Sequence, residues 1–320
     1  MTLGWREVTR SGLVVLGLLA MAGCDAVAPT PSARPVGRPA GLVAPTASAA
    51  PSANSLALAQ YYRRLEADLL NRGLLRRDGG GPDTPYTDTD LARNFERIAF
   101  YDEYAQGAGF RPSSGRAGGL RKWDRPVRMA VEFGSSVPDE QRARDKAMVA
   151  DYAARLARIT RHPISANSSK PNFHVLIMGE DDRGEALARI RQIVPNAGPS
   201  TIAIFRDMPR TIHCLVVAFS GEGEDFTYRR AIAFIRAEHP DLMRQSCVHE
   251  ELAQGLGLAD DSPQARPSIF NDDDEFALLT THDEELLRLL YSPDLKPGMT
   301  ADQARPIIRR LLDERRGGPV

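Results

Sequence analysis

Between positions 250 and 261 the chain reads Glu-Glu-Leu-Ala-Gln-Gly-Leu-Gly-Leu-Ala-Asp-Asp, and the order of its polar residues is one that could do chemistry. If the stretch is helical, Glu250 and Gln254 stand four residues apart and present their polar tips on one face. Gly257 can end the helix and turn the chain back, which would carry Asp260 toward the other two. A zinc peptidase uses this geometry: two ligands at i and i+4, a general base at i+1, and a third ligand beyond a glycine turn. Glu250, Gln254 and Asp260 are therefore the candidate metal positions, and Glu251 is the candidate general base.

The donor atoms argue against zinc, because the set offers only oxygen, one of it from a neutral amide, where imidazole or thiolate would be needed. Reading the motif one residue earlier, from His249, meets Ala253 at i+4 and loses the second ligand. His282 is a more distant nitrogen donor. Three readings stay open. In the first, Gln254 donates its two N–H groups to Glu250 and Asp260 and closes a hydrogen-bonded set without metal. In the second, a hard divalent cation such as calcium, magnesium or manganese binds the oxygens, with further donors completing its shell. In the third, hydrolysis proceeds by an unusual oxygen-ligand route with Glu251 as base. The acidic run Asp272-Asp273-Asp274-Glu275 lacks alternating ligand spacing and a glycine turn, so it reads as a solvated loop.

The elements that must position these residues follow from periodicity. Apolar residues at helical spacing predict helices over 55–77 and 87–104, with the Gly79-Gly80-Gly81-Pro82 stretch between them. Alternation predicts a strand over 127–133, and Val, Ile and Phe enrichment predicts strands over 173–178 and 211–220, with a further candidate over 228–237. Helices are expected over 139–160, 185–193, 242–256 and 283–291. The sum is an α+β domain with strands collected before a late helix that carries the motif.

The motif resembles the metzincin pattern H-E-x-x-H-x-x-G-x-x-H, with Glu250, Gln254 and Asp260 at the three histidine positions and Glu251 at that of the catalytic glutamate. Gly257-Leu258 keeps the glycine turn. Ser268-Ile269-Phe270 resembles the Met-turn with Phe270 in place of Met, and Leu279-Thr280 with the following helix looks like the closing part of matrixin-type domains. A second resemblance, from about Tyr61 to Leu312, is to a bacterial lipoprotein family catalogued as domain of unknown function 2927. It is carried by Gly73-Leu74-Leu75-Arg76, Gly79-Gly80-Gly81-Pro82-Asp83-Thr84-Pro85, Glu250-Glu251-Leu252-Ala253-Gln254, Gly257-Leu258, Leu290-Tyr291 and Leu295-Lys296-Pro297-Gly298-Met299. The resemblances imply a zincin-like, metzincin-type mixed sheet with an active-site-type helix and an N-terminal helical extension. They bring no assigned reaction.

At the N-terminus Arg6 and Arg10 precede a short apolar run from Leu13 to Ala22, which suits a signal h-region and is too short to span comfortably. Met21-Ala22-Gly23-Cys24 resembles a lipobox, so Cys24 is the expected lipidation site and the chain is expected to be exported and anchored to a membrane facing the periplasm. Residues 24–54, dominated by Ala, Pro, Ser and Thr, cannot bury enough surface to offset their ordering entropy, and they read as a tether of roughly thirty residues. Export into an oxidising compartment leaves Cys214 and Cys247 as the expected disulfide, the alternative being two buried thiols.

The organisation expected is a signal peptide over 1–23, the lipidated cysteine and tether over 24–54, a helical extension over 55–122 and a zincin-like domain over 123–316. With 41 basic against 42 acidic residues, nothing in the charge balance calls for nucleic acid. Two function classes follow. One is a non-catalytic envelope lipoprotein that binds a peptide, protein or cell-wall partner through the cleft, with no cofactor; the other is a metallopeptidase-like hydrolase on a divalent cation.

Overall fold

Every residue of Phe173–Met178 is buried, a pattern that only a central strand covered on both faces permits. The computed structural model describes residues 50–102, 113, 115–221, 223–271 and 273–317, and the statements below concern those. The expected signal segment, Cys24 and the expected tether through residue 49 lie outside them, as does Asp272 of the acidic run. The described residues belong to one compact unit.

Five strands make one mixed sheet: β1 (Val127–Phe133), β2 (Ile164–Ser165), β3 (Phe173–Met178), β4 (Cys214–Gly221) and β5 (Glu224–Arg236). Their order is β2-β1-β3-β5-β4; β1 runs parallel to β2 and β3, β3 parallel to β5, and β4 antiparallel to β5 at the edge. The strand expected over 211–220 is this edge strand, and Cys214 opens it. A run of apolar residues does not tell edge from centre, because an edge strand under a helix is as apolar as a central one.

The period-two alternation sorts the central strands onto two layers. Phe173, Val175 and Ile177 of β3, with Ala231, Ala233 and Ile235 of β5, face the larger core. Leu176, Met178, Ile232 and Phe234 face the other side and meet Ile190, Ile193, Ile202 and Phe205. The second layer comes from α4 (Arg183–Ile193) and α5 (Pro199–Arg206). The larger core is closed by α2 (Asp88–Phe100), α3 (Asp139–Thr160), α6 (Asp241–Gln254), α7 (Thr281–Leu290) and α8 (Ala301–Gly317). At about 1.5–3 kcal/mol for each large apolar side chain fully buried, this double coverage dominates local preference in the central strands. The helix α5, the two-residue β2 and the polar, proline-containing α8 were not anticipated. The first two are too short to announce themselves by periodicity, whereas Ala304, Ile308 and Leu312 of α8 recur at helical spacing and were overlooked around Pro306.

The segment before the sheet is woven into it. The first helix, α1 (Ala53–Asn71), is shorter than expected and ends before Gly73, which adopts φ +76°. The next residues pair with the loop ahead of α7: Leu75 N–H donates to Asp274 O, Arg76 N–H to Glu275 O, and Ala277 N–H to Arg76 O. Gly80 sits at φ +86°, and a Cβ there would come within 2.6 Å of the Pro267 ring, so both its conformation and the close approach require glycine. No helix among the described residues is long and apolar enough to cross a membrane.

Candidate functional site

Helix α6 presents the motif, and its end is built by side chains from elsewhere. The last carbonyls of a helix have no partners within it. Here the Trp123 indole N–H donates to Gly255 O at 2.9 Å and the Tyr291 hydroxyl to Leu256 O at 2.9 Å. The chain then turns at Gly257, φ +129°, where a Cβ would stand 2.3 Å from Arg121 O. The glycine turn expected from the motif is thus present, and it carries Asp260 to α2, where its backbone N–H donates to Ile98 O at 3.1 Å.

The polar residues of the motif divide into separate associations. Candidate ligand atoms of Glu250, Glu251 and Cys214 lie within 4.8 Å of one another. Glu251 is buried and Glu250 half-buried. The sulfur of Cys214 is bonded to Cys247, so the expected disulfide is present and that sulfur is not available as a thiolate. Gln254, half-buried, directs its amide N–H to Asp261 Oδ1 at 3.5 Å, the outer limit of a hydrogen bond, and neither to Glu250 nor to Asp260. Asp260 is only 3% exposed, and its Oδ2 lies 2.9 Å from Arg97 Nη2 on α2. The hydrogen-bonded set centred on the Gln254 amide is therefore not formed; a guanidinium from another helix answers Asp260 instead. Arg97 also lies over the Tyr101 ring at 4.7 Å.

The two nearby histidines are committed elsewhere. His249 stacks on Tyr152 with ring centroids 3.9 Å apart, and its Nδ1 accepts the Leu279 N–H at 3.0 Å. Burial pulls its imidazole down to about 3, so it is a neutral acceptor. His282 is fully buried, with Nε2 3.1 Å from Asn94 Nδ2 and its ring edge-on to Tyr86. In the acidic run, Glu275 pairs with Arg76 and Arg266, a structural role.

Ser268, Ile269 and Phe270, expected from the sequence as a Met-turn equivalent, are all buried. Asp283, the third residue of α7, fixes them. One carboxylate oxygen accepts from Ser268 Oγ at 2.5 Å; the other accepts from Ile269 N–H at 3.0 Å and from the Thr280 N–H and hydroxyl at 3.0 and 2.8 Å. Thr280 and Asp283 also close a capping box on α7.

Tested against zinc, the residues do not fit. The donors at the motif are oxygens, the adjacent sulfur is spent in a disulfide, and the third position is already neutralised by a cation. What the arrangement offers beside Arg97 is a groove of about 930 Å³ between α2 and α8, with Ala92, Tyr101, Ile308 and Leu312 among Glu96, Arg97, Arg305 and Arg309. Arg97 was missed by sequence reasoning. It is one of many arginines on amphipathic helices, and no local pattern ties it to a carboxylate 163 positions later.

Neither a comparison with curated proteins nor one with solved structures finds a match. A protein-family comparison does match, over residues 88–310, a span that runs from the capping box of α2 to the middle of α8 and includes the whole sheet, the motif helix and the Asp283 anchor. The chain belongs to the family described as protein of unknown function DUF2927.

Proposed function

We propose that this protein is an envelope lipoprotein, held at Cys24 to a membrane facing the periplasm, whose zincin-like domain has lost its metal and binds a peptide, protein or cell-wall partner without catalysis. The observation that carries the reading is the Arg97–Asp260 pair: a guanidinium 2.9 Å from the carboxylate at the third ligand position supplies the positive charge that a metal would bring. A motif helix directly after the sheet, a glycine turn that delivers Asp260, and a buried Ser268-Ile269-Phe270 turn all support the zincin-like assignment. The groove beside Arg97 mixes apolar and charged walls in a volume typical of ligand sites, which suits an extended peptide or a cell-wall fragment.

Metal analysis of the purified chain, with a peptidase assay on a mixed peptide library, tests this. The expected result is no stoichiometric zinc and no hydrolysis. One tightly bound metal per chain, with a hydrolytic activity lost in Glu251→Gln, would establish the metallopeptidase alternative instead.

A further inference from the structure

The carboxyl ends of β3 and β5 form a second site, built from elements other than the motif helix. Met178 and Arg236 pair at the ends of these two parallel strands. Over them lies α1, tied down by three contacts: Ser52 N–H to Asp181 Oδ2 at 2.8 Å, Ser55 Oγ to Glu238 Oε1 at 2.9 Å, and the Tyr62 hydroxyl to Arg210 O at 2.9 Å. A cavity of about 300 Å³ remains between them. Ala57, Leu58, Tyr61 and Met208 give it apolar walls, while Arg183, Arg210, Arg236 and Glu180 carry its charge.

Those charges are unequal. Three guanidinium groups against one carboxylate leave two net positive charges in the lining. Glu180 is engaged by Arg183 at 2.5 Å and lies 3.8 Å from Arg236. Arg236 is only 3% exposed; its Nη2 donates to Met208 O and Pro209 O, but its Nε is buried with no hydrogen-bond partner. An orphaned buried donor on a cation is costly unless a ligand completes it. Arg210 faces the Tyr61 ring at 4.8 Å and has no carboxylate within ion-pair distance among the described residues. A buried guanidinium with its Nε–H left over, and a second guanidinium at the mouth, can together hold an oxyanion by charge-assisted hydrogen bonds.

We propose that this pocket binds a small soluble phosphate monoester, with the phosphate seated on Arg236 and Arg210 and the organic part against Tyr61 and Leu58. A monoester carries a charge of about −1.5 to −2 at neutral pH, which matches the net positive charge of the lining better than a single carboxylate does. The volume fits a molecule of monosaccharide size.

Calorimetric titration of inorganic phosphate into the full chain carrying Cys24→Ser, at low ionic strength, tests the assignment. One saturable site is expected, weakened about tenfold or more in Arg210→Gln, the loss of one charge-assisted contact. Arg210 is exposed, so that variant should fold normally. Arg125→Gln, at the opposite end of the sheet, should bind as the parent does. Absence of a saturable site, equal binding by Arg210→Gln, or an equal loss in Arg125→Gln would each overturn the proposal. Glycerol phosphate should compete with inorganic phosphate. Competition only by vesicles containing phosphatidic acid would assign the pocket to a lipid headgroup and overturn the soluble ligand.

Discussion

Asp283 holds Ser268 by a 2.5 Å hydrogen bond between two fully enclosed side chains, fifteen residues apart in the chain. The same carboxylate caps α7 and takes the Ile269 N–H, so it couples the start of one helix to the buried Ser268–Phe270 turn. Asp283→Ala strands several buried donors at once and should cost about 3 kcal/mol or more, whereas Asp283→Asn, which keeps an acceptor oxygen, should cost less. Urea unfolding measures both. Equal losses in the two variants would mean that the carboxylate's second oxygen contributes nothing.

The Arg97–Asp260 pair has one buried and one partly exposed member, so its loss should be smaller than that of a fully buried pair. Arg97→Met should lower stability by about 1–3 kcal/mol, because it leaves a buried carboxylate without its cation. In an Asp260→Asn background the same change should cost clearly less. A double-mutant cycle with additive energies would remove the charge-compensation argument.

The disulfide joins the first residue of the edge strand to the inner face of α6, across 33 positions. Replacing Cys214 and Cys247 together with alanine should destabilise the fold by about 2–5 kcal/mol. The readout is the shift in the urea midpoint against the parent under non-reducing conditions. A parent whose midpoint does not respond to reductant would contradict it.

Burial of His249 lowers its imidazole from 6.5 to about 3, and burial of His239 drives that ring well below its ordinary value. The unfolded chain takes up these protons below about pH 6.5 while the folded chain does not. The stability present above that pH is therefore lost as the pH falls, for His249 toward 3 at about 1.4 kcal/mol per unit, with a loss of the same sign from His239. His249→Asn, whose amide oxygen can still accept the Leu279 N–H, should reduce the loss between pH 7.5 and 5.5 by about one proton's worth. An unchanged slope would falsify the assignment of this linkage to His249.

Cys24→Ser should release the exported chain from the membrane, since acyl chains on that residue are the attachment proposed. Fractionation of cells expressing the variant reads the outcome. Membrane association equal to that of the parent would point to another attachment.

Residue patterning alone determined the ranges of β1, α3 and β3, the existence of α6 and α7, and the glycine turn after the motif. In each, many local apolar contacts or a backbone demand agree with one periodicity. The nearly unbroken apolar, β-branched and aromatic run of Phe173–Met178 leaves little else to form, and an i, i+4 pair ahead of Gly257 is readable from spacing alone. The cysteine pairing was legible because only Cys214 and Cys247 remain once Cys24 is set aside. The tertiary structure decided the rest: that β4 is an edge strand, that Gln254 turns to Asp261, that Arg97 answers Asp260, and that Arg183, Arg210 and Arg236 meet under α1. These outcomes depend on which surfaces meet, over 7 residues for Gln254 and Asp261 and 163 for Arg97 and Asp260. A charged side chain on an amphipathic helix carries the same local signature whether its partner is water, a neighbour four residues away, or a buried carboxylate on a distant loop, so only the packing of one element on another selects among them.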